Sequence, residues 1–344
     1  MLGMWFSAKF RFFTYVTFWG VLLSVGNAQN RKLPTAEPSL PGYSSFHSNL
    51  GILEIIEVGI PMSQGRSAVE SSPLIASPPP KPKEKKYSFS ATTGSRLYRT
   101  SNVLRSPVKG QDERSGVFEA NLGLSLSRSA YKLGQYLTMI PRVDFMIQRA
   151  EYEKYSSLLD NRFAMAKSSL AFGLPADWTM GASVEYNILH NQSSGQRTFD
   201  AIAPAWSIQK IIPFTESSFL MTDFMLKYSS TDQTMVFPAA GVFADSGDNY
   251  QNSLSATYIH MLGEDGKLML MPRVGLNRTH YLKSPSKGRD DYLLTVGSSF
   301  IYQWTDWLSV QSFVTYSAMH SDEATVDGFR ALDSGLSLSA SFSY

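Results

Sequence analysis

The segment from Leu336 to Tyr344 alternates apolar and small polar residues without a break and ends on an aromatic residue. Successive side chains of an extended strand point to opposite faces, so this segment has one apolar face and one serine face. The apolar face suits hydrocarbon, and the serine face suits water or packed polar side chains. The same pattern also fits a two-faced strand of a soluble β-sandwich. The rest of the sequence has to distinguish between these two structures.

Further segments of the chain have the composition of strands. Alternation is clearest from Phe118 to Ser127 and from Trp178 to Asn187. Together with the last segment they predict twelve strands. The predicted strands lie at approximately 87–99, 116–129, 135–151, 162–174, 177–190, 198–210, 218–229, 250–262, 267–281, 291–304, 306–319 and 329–344.

The predicted connections differ in length on the two sides of these strands. After odd-numbered strands the links are long and polar, as from Thr100 to Ser115 and from Ser230 to Asn249. Most links after even-numbered strands are tight turns, as at Pro175-Ala176 and from Gly263 to Gly266. Long loops at one rim and short turns at the other are typical of outer-membrane barrels. Because the strand number is even, we expect both ends of the barrel on the short-turn side.

Two of the predicted strands share a sequence motif. Met139-Ile140-Pro141-Arg142-Val143 in the third strand corresponds to Leu270-Met271-Pro272-Arg273-Val274 in the ninth. The motifs are six strands apart, which favours a barrel of two similar halves. Tryptophans at 178, 206, 304 and 307 lie near predicted short-turn ends, where aromatic girdles form in membrane barrels. Core aromatics of a sandwich are the alternative.

The first residues predict export. Lys9 and Arg11 precede an apolar run from Phe12 to Val25, and Gly26-Asn27-Ala28 offers small residues for cleavage. We therefore expect residues 1–28 to be a signal peptide. An uncleaved anchor is the alternative, although the run is short for a membrane span.

Residues 29–86 are rich in proline and serine, which predicts a disordered periplasmic linker. An apolar island at residues 50–60 interrupts this linker. The island could dock on a partner, enter the barrel mouth, form a short strand, or have no specific role.

Composition excludes several classes of protein. The absence of cysteine excludes a lipoprotein signal, a disulfide scaffold and a thiolate metal site. A formal net charge of +2 gives no support to nucleic-acid binding. No segment after the N-terminus has the roughly 18 consecutive apolar residues of a membrane helix. If the chain is in a membrane, it must cross as a closed barrel.

On these patterns residues 87–344 resemble the outer-membrane β-barrels of Gram-negative bacteria, of the porin-like kind. The resemblance implies an all-β fold, a transmembrane antiparallel up-and-down barrel of about twelve strands, located in the bacterial outer membrane. It also implies contact with outer-membrane lipid and with the barrel assembly machinery, which would read Phe342 and Tyr344 as an assembly signal. A periplasmic or cell-wall partner could bind residues 29–86, and no nucleic acid is expected.

Charged residues on the predicted polar faces are the candidate functional residues. If Pro141 and Pro272 face lipid, the following arginines face the lumen. Charges of both signs at a constriction would sort solutes by a transverse field. Mutual pairing that only fills a narrow barrel is the alternative. The candidate lumen-lining residues are Arg142, Arg273, Asp144, Glu119, Glu185, Asp223, Lys227 and Asn277.

No motif predicts an enzyme, a cofactor or a metal. His260 lies near Ser253 and Ser255, but no compact hydrolase motif surrounds it. His190 and His320 occupy matching positions and fit solvated rim residues better than metal ligands.

We therefore expect passive passage of small hydrophilic solutes as the leading function. A non-conducting barrel that acts as an anchor or docking protein is the alternative. The long apolar loop from Ser230 to Asn249 could fold into the lumen, touch a surface partner, or form a poorly ordered tip.

Overall fold

A computed structural model of the chain describes residues 86–103, 113–133, 137–195, 197–232, 235–237, 241–243, 247–263, 266–284, 286–323 and 328–343. The predicted signal peptide, residues 29–85 of the predicted linker and Tyr344 lie outside these residues. The predictions for those segments, including a partner for residues 29–86, therefore stay predictions.

The described residues form a nearly all-β structure with one short helix. The strands are β1 (Tyr87–Thr100), β2 (Ser115–Arg128), β3 (Tyr131–Leu133), β4 (Leu137–Tyr152), β5 (Asn161–Leu174), β6 (Trp178–Asn191), β7 (Arg197–Thr215), β8 (Ser218–Asp232), β9 (Met235–Phe237), β10 (Gly241–Phe243), β11 (Asn249–Leu262), β12 (Leu268–Tyr281), β13 (Asp290–Thr305), β14 (Leu308–Ser321) and β15 (Phe329–Ser343). The helix α1 spans Ser156–Leu159. None of the described helical residues forms a segment long and apolar enough to cross a membrane.

Twelve of these strands close into an antiparallel barrel. Chain neighbours pair in order, and β1 pairs both with β2 and with β15. Leu97 of β1, for example, lies opposite Phe118 on one side and Leu336 on the other. The short strand β3 adds to the edge of β4 at the turn side, and β9 and β10 form a separate hairpin in the loop from β8 to β11. The predicted fold class is confirmed.

Strand boundaries agree closely with the predicted ones, with one clear difference. β7 ends at Thr215, whereas the sequence predicted an end at 210. The extension pairs with the start of β8, with Ile212 opposite Leu220. Pro213 lacks a backbone donor, but it lies beside a register shift, where a ladder tolerates proline.

The outer surface of the barrel is an apolar belt. Large aliphatic side chains such as Leu254, Ile147 and Leu336 are more than half exposed on it. Aromatic residues near the turn side are Trp178, Tyr302, Trp304, Trp307 and Phe342, and tyrosines on the loop side are Tyr186, Tyr228, Tyr250, Tyr292 and Tyr316.

The height of this belt fits a membrane. Trp178 and Tyr186 are eight residues apart on β6, which is about 26 Å at about 3.3 Å per residue. A strand tilt of about 40° reduces this to about 20 Å, close to the ~25 Å apolar band of membrane barrels. A closed barrel with this outer surface is an outer-membrane β-barrel. The predicted class and the predicted location in the bacterial outer membrane are confirmed.

The final strand has the two faces that its sequence predicted. Leu336, Leu338 and Phe342 are exposed on the outer face, and Phe342 stacks on Trp307 with ring centroids 5.7 Å apart. Inside, the Ser337 hydroxyl donates to Gln311 Oε1 at 3.2 Å. The role of Phe342 in assembly stays a prediction.

Candidate functional site

The candidate site is the inner wall of the barrel. The structure places all eight predicted lumen residues on this wall, since each alternates along its strand with side chains of the outer face. Their role as a constriction stays a prediction.

Three of the inner charges form a cluster around Glu185, which we call the Glu185 cluster. Its carboxylate lies 3.9 Å from Lys167 Nζ and 3.8 Å from Lys227 Nζ. The side chain of Lys227 is fully buried and that of Glu185 is 4% exposed. Glu185 is on β6 and Lys227 on β8, so the contact passes over β7. β7 presents alanines there, with Ala203 opposite Glu185 and Ala205 opposite Lys227.

The two copies of the Pro-Arg motif lie on β4 and β12. Both prolines are on the outer face and both arginines on the inner face. Arg142 Nε donates to Asp144 Oδ1 at 2.6 Å on the same strand. Arg273 interacts electrostatically with Asp223, which lies on β8 beyond β11. The repeated motif therefore places two arginines inside, each with a carboxylate nearby.

A second cluster, the Arg96 cluster, lies nearly opposite the first and consists of Arg96, Tyr98, Glu119 and Phe313. Arg96 Nη1 lies 3.4 Å from Glu119 Oε2, and the Tyr98 hydroxyl donates to Glu119 Oε1 at 3.2 Å. The Arg96 guanidinium carbon is 4.2 Å from the centroid of the Phe313 ring. The rings of Tyr98 and Phe313 meet edge to face at 5.9 Å.

Gly335 leaves the space in which the aromatic rings of the Arg96 cluster contact each other. It lies on β15 between Tyr98 of β1 and Phe313 of β14, directly opposite both. A Cβ at this position would overlap the Leu97 carbonyl oxygen and the Tyr98 Cβ. Only glycine lets the two aromatic rings contact each other over β15.

The sequence analysis missed Arg96, Lys167 and Phe313. Arg96 and Lys167 lie within predicted strands, and their inward direction follows from alternation with exposed neighbours such as Leu97. That signal was present in the sequence. The stacking of Arg96 on Phe313 had no local signal, because it depends on the pairing of strands far apart in the chain.

The inner wall differs along the barrel axis. Towards the loops it is packed, with Tyr152 and Tyr281 almost fully buried. Apolar clusters fill this side: one around Val117 and Tyr152, one around Phe163 and Phe199, and one around Leu293 and Phe329. Towards the turns the inner residues are mostly small and less buried, apart from a cluster of Ile259, Met271 and Ile301. Examples on this side are Gly173, Gly181, Gly275, Ser337 and Ser339.

Two buried amide side chains lie on the inner wall beside the Glu185 cluster, towards the apolar clusters of the loop side. The side chain of Asn187 is fully buried, and within the described part of the chain neither its oxygen nor its nitrogen has a hydrogen-bond partner. The same holds for Nε2 of Gln251, which is 1% exposed. Buried polar groups need a partner, so these positions suit water or a polar solute.

Two loops are joined above the barrel by Glu113, Lys154 and Tyr155. Lys154 Nζ donates to Glu113 Oε2 at 3.1 Å. Burial and a hydrogen bond with Glu113 raise the pKa of Tyr155 to about 12. The hydrogen bonds from Tyr155 and Lys154 lower the pKa of Glu113. These contacts connect the loop after β1 with the loop after β4 at neutral pH.

The histidines and serines named from the sequence do not form a hydrolytic site. His260 is on the outer face of β11, whereas Ser253 and Ser255 are on the inner face. His190 and His320 both lie on the outer face near the loops. Among the described residues, no group of three histidine or carboxylate side chains is arranged to hold a metal. The expectation of a protein without enzymatic activity stays a prediction.

The loop from Ser230 to Asn249 has backbone order that the sequence did not predict. β8 continues to Asp232, and β9 and β10 pair with Val236 opposite Val242. Asp248 accepts a hydrogen bond from the Thr231 backbone nitrogen at 2.7 Å, which joins the two ends of the loop. Whether this loop gates the lumen stays a prediction.

Comparison with known proteins gave structural neighbours only. No protein family matches the sequence, and no curated protein does. An outer-membrane channel from Pseudomonas putida F1 is similar in structure, with a TM-score of 0.47, 12% identity, and coverage of 75% of this chain and 96% of the channel. The β domain of the Bordetella autotransporter BrkA has a TM-score of 0.42 and 9% identity, covering 74% and 99% of the two chains. The NanC porin has a TM-score of 0.41 and 8% identity, covering 72% and 98%.

Proposed function

We propose that this barrel is a channel for small hydrophilic solutes, with a narrow lumen whose charged inner wall selects among them. The observation that carries the proposal is the set of buried charges at mid-height, of which Glu185 between Lys167 and Lys227 is the centre. Buried ion pairs are often no more stable than apolar residues of the same size. A barrel that served only as an anchor would gain nothing from them, whereas a conduction path needs a polar wall.

The buried amides support the same proposal. Asn187 and Gln251 would leave polar atoms unsatisfied in a dry interior. Water at these positions would satisfy them and would extend a hydrated path from the charged centre towards the packed loop side. A hydrated path of this kind is what passage of small polar solutes requires.

A second candidate function is a non-conducting barrel that acts as an anchor or docking protein. The packing on the loop side favours it, because Tyr152, Tyr281 and the apolar clusters occupy the inner wall there. If the barrel is a channel, these packed side chains close the lumen on the loop side, and they have to move before a solute passes.

Single-channel recording on the purified protein in planar bilayers separates the two candidates. Steady conductance steps support the channel. A protein that stays silent at every voltage, while it keeps the heat-modifiable gel mobility of a folded barrel, supports the anchor.

A charge substitution then tests whether the inner wall selects ions. Arg273→Gln removes a positive charge from the inner face of β12 and should shift the reversal potential in a salt gradient towards cation selectivity. Arg278→Gln removes a positive charge from the outer face of the same strand and is the matched control. Equal reversal potentials for the two variants would remove Arg273 from the path.

A further inference from the structure

A row of basic side chains crosses three neighbouring strands on the outside of the barrel, near the loops. Arg149 of β4 lies directly opposite Arg162 of β5, and Arg162 lies directly opposite His190 of β6. We call these three residues the outer basic row. His190 is four residues beyond Tyr186 on β6, which is about 13 Å further along the strand. The row therefore lies above the apolar belt, at the level of lipid headgroups.

The charges of this row are only partly balanced by the protein. Arg149 has an ion pair with Glu151, two residues along the same strand. Within the described part of the chain, the side chains of Arg162 and His190 have no hydrogen bond and no ion pair. Like charges directly opposite each other destabilise a sheet, so Arg162, which faces Arg149 and has no ion pair of its own among the described residues, calls for an anion.

The neighbouring basic residue on β7 makes the contrast clear. Arg197 lies opposite His190 across a register shift, and it contacts both Asp200 and Asp232 at 2.8 Å. At the same rim the protein therefore neutralises Arg197 with its own carboxylates, whereas Arg162 has no such carboxylate among the residues that the structure describes.

A second row, which is apolar, lies directly below the outer basic row. It consists of Leu122, Ile147, Ala164 and Ile188, paired strand by strand on the outer face. The two rows line one concavity of about 700 Å³ on the outer wall. Ala164 lies in it between two larger side chains, which leaves room for a chain of the lipid to lie against the wall.

We propose that this concavity binds a lipid of the outer leaflet that carries phosphate on its headgroup, with the phosphate on Arg149, Arg162 and His190 and an acyl chain on the apolar row. Guanidinium groups bind phosphate through paired, charge-assisted hydrogen bonds. A basic row placed above an apolar groove matches a ligand that is anionic at one end and apolar at the other. This binding surface is outside the barrel, so the proposal is independent of conduction through the lumen.

Native mass spectrometry of the folded protein in detergent tests the proposal. The probe is bisphosphorylated lipid A, and the comparison ligands are the same glycolipid without phosphate and inorganic phosphate alone. We expect retention of the phosphorylated lipid to exceed that of the dephosphorylated lipid at least tenfold. Equal retention of the two lipids would overturn the proposal, and so would binding of inorganic phosphate as tight as that of the lipid.

Variants then locate the site. Arg162→Gln with His190→Gln should weaken binding of the phosphorylated lipid about tenfold or more, which corresponds to about 1.4 kcal/mol. Arg278→Gln is the matched control, because this outer arginine lies near the loops but is paired with Asp290 at 2.7 Å. All three residues are on the outer face, and heat-modifiable gel mobility checks that each variant is folded. Unchanged binding by the double variant, or an equal loss in the control, would overturn the site.

Discussion

The Glu185 cluster and the Arg96 cluster both hold charges on the inner wall, but they stabilise those charges in different ways. Glu185 is shared by two lysines at nearly equal distances, so one carboxylate serves two cations. Arg96 has one carboxylate and, in addition, the faces of Phe313 and Tyr98 at 4.2 and 5.4 Å. In the first cluster one carboxylate lies between two lysines, whereas the second spreads the stabilisation of its cation over a carboxylate and two aromatic rings. The loss of the carboxylate should therefore cost far more in the first cluster than in the second.

Glu185→Gln should give the largest decrease in the free energy of unfolding. It removes the carboxylate that Lys167 and Lys227 both contact, and removal of one partner from a buried ion pair costs about 3–5 kcal/mol. Urea unfolding in phospholipid vesicles, followed by tryptophan fluorescence, measures the loss. The double variant Glu185→Gln with Lys227→Gln should recover at least half of it. A loss in Glu185→Gln no larger than that in Glu119→Gln would contradict the comparison.

Gly335→Ala should give the next largest effect, because the added methyl group overlaps the backbone of Leu97 and the Tyr98 side chain. Overpacking of this kind costs about 1–3 kcal/mol. The control is Gly94→Ala on the inner face of β1, where the new methyl meets the movable Asn121 amide at 3.2 Å and the Leu338 carbonyl oxygen at an ordinary contact distance of 3.4 Å. The same unfolding measurement applies. If both substitutions cost the same, Gly335 does not act through the contact between Tyr98 and Phe313.

Glu119→Gln should cost less, about 1.5 kcal/mol, because Arg96 keeps its contact with the Phe313 ring and only the charge-assisted hydrogen bonds are weakened. A double-mutant cycle with Phe313→Leu sharpens the comparison. The two substitutions should be more costly together than the sum of their single effects, since each leaves Arg96 more dependent on the other. Strict additivity would show that the ring does not stabilise the guanidinium.

Arg278→Gln on the outer face should give the smallest effect. Its ion pair with Asp290 is exposed, with 44% of the arginine side chain accessible, and exposed pairs contribute about 1 kcal/mol or less. Unfolding at low and at high salt measures the difference between variant and wild type, which should shrink as salt rises. A loss as large as that in Glu185→Gln would contradict the difference between inner and outer charges.

Alternation along single strands predicted most of the fold. It assigned the faces of β15 correctly, and it placed Arg142 and Arg273 inside because each follows an outward proline. These inferences need only the two-residue period of a strand, which is a local property. The end of β7 was predicted too early, at 210, whereas the strand continues through a register shift between Pro213 and Thr215.

Local sequence patterns could not predict which residues form the two clusters. Lys227 contacts Glu185 over an intervening strand, and Arg96 contacts Phe313 from the other end of the sequence. Such contacts depend on the stagger of neighbouring strands and on the small residues Ala203, Ala205 and Gly335 between them. The outer basic row was missed for the same reason, since Arg149, Arg162 and His190 come together only through strand register.

The pairing of β1 with β15 also bears on how the barrel is made. This seam joins Ser90 to Ser343 and Thr100 to Asp333, so its partners are separated by nearly the whole barrel sequence. Until the seam forms, β1 and β15 each have one unpaired edge, which could pair with another chain. Contacts between such distant residues also form slowly. Tyr98 and Gly335 face each other across this seam, so a substitution at either position should delay closure of the barrel and lengthen the time during which both edges can aggregate.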